Sequence, residues 1–316
     1  MRLRRTTAIG ALLALALTGC VEPGQQHPAD GYVIAGGGTT GVYYSYGQQL
    51  AAVLSRRLEP DFVGAESAGS VDNLLRIGSG EAMFGFAQSD AAADAVTGSG
   101  PFSAELPIVA VARLYDEYVH VVVRADSGIE SVAELQGRVI SLGAQNSGVH
   151  LVATRVMEGV GVELSQIEDR RLGLMASMDA LKAGEIEGFF WVGGVPTPSL
   201  QSLSEELPIR LLSIDSEIVD RINARHAGMY RIADFPVAAY GRSDPASTMT
   251  VPNFLITSRS APDALVRDVL EVLFSSRVEL ASVVPAAALL DRRQAIFTDP
   301  LELHPGAIAY YSAARG

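Results

Sequence analysis

From Tyr32 onward, short apolar runs alternate with stretches whose apolar residues recur at helical spacing. Residues 32–35 read as a strand, and Val42, Tyr46, Leu50, Val53 and Leu58 then fall on one face of a helix. A strand at 62–65, a helix at 71–77, a strand at 83–87 and a helix from Asp90 follow. This β-α-β-α-β-α order predicts an α/β fold with a largely parallel sheet covered by helices on both faces. A second set comprises strands at 119–123 and 139–142, helices at 149–160 and 178–183, and a strand at 188–192. Sliding the chain by 107 positions puts Gly36 on Gly143, Gly41 on Gly148, Val42 on Val149, Val53 on Val160, Ser70 on Ser177, Asp72 on Asp179 and Leu74 on Leu181. These identities fit a duplicated lobe, and equally a composition rich in Gly and Val. The shared glycines fall at the same strand-to-helix turns, which strengthens the first reading.

The N-terminus follows a different pattern. Arg2, Arg4 and Arg5 precede an apolar segment over 8–17, and Leu17-Thr18-Gly19-Cys20 has the form of a bacterial lipobox. Cys20 is the sole cysteine of the 316 residues, which excludes an intrachain disulfide and a thiolate metal site. Residues 1–20 are therefore expected to be a lipoprotein signal peptide, with Cys20 lipidated. Residues 21–30, polar with two prolines, are the expected tether. Nothing downstream approaches the ~18 consecutive apolar residues of a membrane-spanning helix. The expected location is extracytoplasmic or periplasmic, held to a bacterial membrane only by the N-terminal lipid.

Composition sharpens this picture. With 48% hydrophobic and 19% charged residues the chain is globular and long enough for two domains. A formal charge of −12 argues against nucleic acid as a partner. A small anion stays compatible, because backbone dipoles bind it locally.

The most informative motif is Gly36-Gly37-Gly38-Thr39-Thr40-Gly41, which follows a strand and opens a helix. Glycines let a ligand approach the backbone, while free N–H groups and the helix dipole favour an anion. The loop also satisfies G-x-G-x-x-G, with Glu66 placed where a ribose-binding acid could sit, but an exported chain meets little nicotinamide cofactor. Similar turns recur at Ser67-Ala68-Gly69-Ser70, Gln88-Ser89-Asp90 and Asn146-Ser147-Gly148. In a parallel sheet these turns share the carboxyl edge where ligands bind. Each Ser, Thr or Asn could instead cap its helix, the commoner role of any one of them. Tyr43, Tyr44, Tyr115 and Trp191 are candidate cleft walls. No H-E-x-x-H or G-x-S-x-G occurs, and the five histidines lack metal-ligand spacing. No catalytic residue, metal or cofactor is expected, although a dispersed triad would escape such a search.

Several ordered stretches carry a family resemblance: GGGTTGVYYSYGQQLA at 36–51, SAGSVDNLLRIGSGEAMFGFAQSDAA at 67–92, VHVVVRADSGIESVAELQGRVISLGAQNSG at 119–148, FFWVGGVPTP at 189–198 and LHPGAIAYY at 303–311. Over about 32–315 the chain resembles the TAXI family, the extracytoplasmic solute-binding receptors of a class of TRAP transporters. The resemblance implies a type 2 periplasmic-binding-protein fold, two α/β lobes joined by crossover hinge strands with a ligand cleft between them. One lobe would comprise 31–118 plus 250–316 and the other 119–249. The residues expected to line the cleft are Thr39, Thr40, Gly41, Val42, Tyr43, Ser67, Gln88, Ser89, Tyr115, Asn146, Ser147, Gly148, Val149 and Trp191. Where the family often has Ser-Gly-Thr-Glu, this chain has Ser147-Gly148-Val149-His150, which loses a hydroxyl and gains an imidazole. The implied function is non-enzymatic capture of a small organic anion, such as glutamate, glutamine or a 2-oxoglutarate-like dicarboxylate, for delivery to a TRAP transporter membrane subunit. A binding protein of an ABC importer, a ligand-sensing receptor and an exported α/β enzyme are the alternatives.

Overall fold

The structure is a computed structural model that describes residues 31–226, 228–236, 239–241 and 245–314. The signal segment, Cys20 and the tether lie outside the described residues. The strands are β1 (Tyr32–Ala35), β2 (Phe62–Ala65), β3 (Phe84–Gln88), β4 (Ile108–Arg124), β5 (Val139–Ser141), β6 (Glu168–Asp169), β7 (Gly188–Gly193), β8 (Ile209–Leu211), β9 (Arg231–Asp234) and β10 (Ser247–Ser258). The α-helices are α1 (Val42–Ser55), α2 (Ser70–Ser79), α3 (Ser89–Thr97), α4 (Gly148–Gly159), α5 (Leu174–Ala183), α6 (Pro198–Glu206), α7 (Ser216–Asn223), α8 (Asp263–Ser275), α9 (Arg277–Ala281) and α10 (Pro305–Ala313).

The strands join in the order β2-β1-β3-β10-β4-β7-β5-β6, with β8 also on β4 and β9 on β10. The order is a near mirror. β1 pairs in parallel with β2 and β3, and β5 pairs in parallel with β6 and β7. The 107-residue offset carries Tyr32 of β1 onto Val139 of β5, Val42 of α1 onto Val149 of α4, and Phe84 of β3 onto Trp191 of β7. The duplication therefore extends beyond matching glycines to matching topology.

Between the halves run β4 and β10, antiparallel to each other and each antiparallel to the neighbouring outer strand. Ala112, Leu114 and Tyr115 of β4, with Leu255 of β10, belong to a core shared with α1 and α8. Val119, Val121 and Val123, with Met249 and Val251, belong to a second core shared with α4 and α7. Two further apolar clusters cover the opposite sheet faces. The two strands thus cross from one lobe to the other, the expected architecture. The expected strand at 119–123 is only the far end of β4, which begins at Ile108. Arg113, Asp116 and Glu117 interrupt its apolar run and disguise the crossing as a loop.

A buried ionic cluster also ties the lobes together. Arg155 of α4 lies 3.1 Å from Asp90 and 2.6 Å from Asp94, both on α3, and the Tyr230 hydroxyl donates to Asp90 at 2.5 Å. The Arg155 and Asp90 side chains are 5% and 0% exposed, so solvent screens neither. Arg155→Met is expected to leave two acids facing an apolar side chain, destabilising the fold by roughly 3–5 kcal/mol in equilibrium urea unfolding. A loss below about 1 kcal/mol would mean that water reaches the cluster and that it ties nothing.

Candidate functional site

Four strand-to-helix turns meet between the lobes. In the first, the Gly36 N–H donates to the Ala65 carbonyl at 2.9 Å, and the Gly36 carbonyl accepts from Ser67 Oγ at 2.9 Å and from Asn73 Nδ2 at 2.5 Å. Gly41 then starts α1 with no side-chain cap, which leaves the first N–H groups of that helix free of side-chain partners. Gly69, at φ 119, starts α2 in the same uncapped way. Only glycine holds that conformation without strain. At α4 the capping role prevails: Ser147 Oγ accepts from the His150 N–H at 3.0 Å.

These turns enclose a cavity of about 60 Å³. Gly41, Val42, Tyr43, Gln88, Ser147, Gly148, Val149 and Trp191 line it, all from the expected set. An adjoining cavity of about 240 Å³ adds Thr40 and Ser67, with Gly41, Ser147, Val149 and Trp191 bordering both spaces. The smaller space holds about two water volumes, which suits one polar end of a ligand.

Thr39, Ser89, Tyr115 and Asn146 line neither space. Thr39 sits exposed on the glycine loop. Asn146 is exposed in a left-handed conformation at φ 62, and its carbonyl accepts from the Asp72 N–H across the lobes at 3.1 Å. Ser89, the first residue of α3, instead lines a groove of about 860 Å³ that includes Arg113 and Phe254. Tyr115 lies behind the cavity and donates to Glu117 at 3.2 Å. The imidazole of His150 pairs with Asp169 at 3.1 Å instead of facing the cavity. Tyr44 is likewise absent from the lining.

The structure adds residues that the motifs did not reveal. Trp191 Nε1 donates to Thr197 Oγ1 at 3.1 Å, and the Thr197 N–H donates to the Tyr240 hydroxyl at 2.9 Å. His120 Nε2 lies 2.9 Å from that hydroxyl and Nδ1 lies 2.9 Å from the Tyr118 carbonyl. Burial lowers the His120 pKa to about 3, so the ring is neutral; Nδ1–H donates to the carbonyl and Nε2 accepts from Tyr240. This chain of bonds fixes the indole wall.

Glu117 of β4 also lines the smaller cavity at 4% exposure. Burial pushes its carboxyl from 4.5 up to about 7, against the opposing pull of Gln88, Tyr115 and Asn253, while the Asp90 charge adds to the rise. Asn253 of β10, opposite Tyr115 in the strand pairing, accepts a short hydrogen bond from the Tyr43 hydroxyl. Among the described residues no group of three or more His, Cys, Asp or Glu is placed to hold a metal ion.

The raised carboxyl makes stability depend on pH. The folded protein holds this proton more tightly than the unfolded chain, so the contribution is full below about pH 4.5 and is lost as pH rises through about 7. Glu117→Gln removes the titration. The variant is expected to match the wild type in thermal unfolding near pH 4.5 and to exceed it at pH 8, by on the order of 3 kcal/mol at most. Parallel stability curves from pH 4.5 to 8 would show that Glu117 ionises as freely as in water.

Comparison with known proteins places this fold in a wider group. PhnD1 from Prochlorococcus marinus, solved in complex with methylphosphonate, superposes with a TM-score of 0.53 at 10% identity, over 83% of this chain and 94% of that one. A putative L-cystine ABC transporter from Listeria monocytogenes gives 0.51 at 13% identity, over 82% and 98%. The alkanesulfonate-binding protein SsuA from Xanthomonas axonopodis pv. citri, bound to MOPS, gives 0.50 at 14% identity, over 90% and 84%. At such identities the likeness carries the fold, which is the two-lobed type 2 periplasmic-binding-protein fold. The sequence itself matches a family: residues 34–314 fit the NMT1-like family, and the chain belongs to that family.

Proposed function

We propose that the protein is a non-enzymatic, extracytoplasmic receptor that captures a small carboxylate-bearing solute between its lobes and delivers it to a membrane importer. The observation that carries this reading is the cavity itself, lined by the α1, α2 and α4 starts of two lobes joined through a pair of crossing strands. The proposed lobes are 31–118 plus 250–316 and 119–249, with ligand exchange by rotation about the crossing strands. Of the two importer classes, an ABC system has the better support, because the Listeria neighbour is named as an ABC transporter. The TRAP partnership rests on the ordered motifs alone. Anchoring through Cys20 rests on the leader pattern.

Thermal-shift screening of the mature domain against carboxylates, amino acids, sulfonates and phosphonates tests the reading. A ligand at 100 times its dissociation constant is expected to stabilise by about 2.7 kcal/mol, with a smaller radius of gyration in solution scattering. No shift with any class sinks the receptor reading. Co-purification from membranes with an ABC permease or a TRAP membrane subunit separates the two partners. Cys20→Ser is expected to release the protein into the soluble fraction with ligand affinity unchanged; an unlipidated wild-type N-terminus by mass spectrometry refutes the anchor.

Closure itself has a sharp steric requirement. A Cβ at Gly148 would lie 2.2 Å from Gln88 Oε1 and 2.6 Å from Ser70 Oγ, both on the opposite lobe. At Gly41 it would meet the Gly38 carbonyl at 3.2 Å and the Trp191 ring at 3.6 Å. Gly148→Ala is therefore expected to weaken ligand binding by roughly ten- to a hundredfold, and Gly41→Ala by much less. Equal effects in calorimetry would show that the lobes do not meet at Gly148 when ligand is held.

A further inference from the structure

The floor of the small cavity is rich in acceptors and has no cation. Glu117 receives Gln88 Nε2 at 3.2 Å and the Tyr115 hydroxyl at 3.2 Å, both long contacts for a carboxylate. No Arg, Lys or His among the described residues forms an ion pair with it. Gln88 is 2% exposed, and its Oε1 has no hydrogen-bond partner although it faces Gly148 across the cavity. A buried carboxylate without a cation and a buried carbonyl oxygen without a donor are each costly, and both border the same small space.

The surroundings offer Glu117 hydrogen bonds from Gln88, Tyr115 and Asn253 but no cation. Packed about Glu117 are Tyr43 of α1, Gln88 of β3, Asp90 of α3, Tyr115 on its own strand and Asn253 of β10. Burial raises both tyrosine hydroxyls well above 10, which keeps them neutral, and Asp90 is an acid. A carboxylate group of a ligand placed here would face like charge. Across the cavity, in contrast, the Gly41 N–H is used by the Gly38 carbonyl at 2.8 Å, but the uncapped start of α1 presents the backbone N–H groups of Val42 and Tyr43, which suit a carboxylate. The two walls therefore ask for opposite charges within a space of about two water volumes.

We propose that Glu117 and Gln88 form an ammonium receptor, so that the cleft takes a ligand bearing an amino group beside its carboxylate and rejects the same skeleton with an oxo group in that place. The proposal rests on the solute-receptor reading and narrows it to amino acids. The rise of the Glu117 carboxyl to about 7 adds a signature: an arriving cation drives the remaining proton off.

Calorimetry on the full mature chain tests this with matched probes, the twenty common L-amino acids against 2-oxoglutarate, pyruvate and 4-methyl-2-oxopentanoate. An amino acid is expected to bind, with its 2-oxo partner at least tenfold weaker where that partner is in the set. At pH 7 the enthalpy measured in buffers of different ionisation heat should report proton release. Glu117→Gln, checked for its native circular dichroism, is expected to lose about ten- to a hundredfold in amino-acid affinity and to abolish the release. Glu117→Asp should recover part of both. Preference for a 2-oxo acid, proton uptake on binding, or full affinity in Glu117→Gln overturns the proposal. So does a sulfonate, phosphonate or simple carboxylate that binds while no amino acid does. That result leaves the receptor reading intact, whereas absence of binding by every class removes the receptor reading and this proposal together.

Discussion

Two antiparallel strands that belong to both lobes govern the rest of the molecule. Because β4 and β10 lie side by side at the centre of the sheet, the β1–β3 and β5–β7 triplets must attach outside them, β3 to β10 and β7 to β4. Each triplet is parallel, so its strand ends and helix starts gather on one edge. The shared strands bring these two edges face to face. The approach of Gly148 to Gln88 and Ser70, and of Trp191 to Gly41, follows from that geometry. A ligand site built this way needs no long loop to close it.

The same strands also carry polar groups into the seam. Thr248 of β10 donates a short hydrogen bond to the Val119 carbonyl of β4, and Asn253 stands beside Tyr115 in the pairing register. Pro252, opposite Asp116, donates no ladder hydrogen bond where β10 passes from β9 to β3. The register of β4 on β10 shifts twice just beyond this point. Such irregular pairing weakens the ladder locally. On one side of the seam the Arg155 cluster opposes opening, because separating α3 from α4 would expose one guanidinium and two carboxylates to rehydration.

Much of this architecture is legible in the sequence. β1 and β2 are legible as short apolar runs, the first flanked by Gly31 and Gly36 and the second by Asp61 and Glu66, and the 107-residue repeat registers the two triplets because identical turn residues recur at equivalent strand ends. Eight of the fourteen expected cleft residues meet in the small cavity; seven of them lie at strand-to-helix turns or helix starts, and the eighth, Trp191, lies within β7. The rest depends on distant partners. Glu117 sits in the run Tyr115-Asp116-Glu117-Tyr118, where either face could be inward, and only pairing with Val251 fixes which one is. Ser89 follows Gln88 in sequence but borders another groove, because β3 ends at Gln88 and α3 begins at Ser89, a boundary that motif matching ignores. The bonds from His120 through Tyr240 to Thr197 and Trp191 join segments 120 residues apart.

Global and local electrostatics select in the same direction. A chain with a formal charge of −12 repels free anions in dilute salt, but the repulsion decays over about 8 Å at physiological ionic strength. Net charge therefore slows the encounter with an anion more than it alters the bound state. Inside the cavity screening is slight, and Glu117 acts at contact distance on whatever occupies the floor. A doubly charged anion would meet opposition from both sources, while the N–H groups at the start of α1 satisfy only one carboxylate. A zwitterion meets neither obstacle: it carries no net charge to be repelled on approach, and its two poles match the two walls. The acidic surface and the buried acid are thus consistent with one another, and both favour a ligand whose charges cancel.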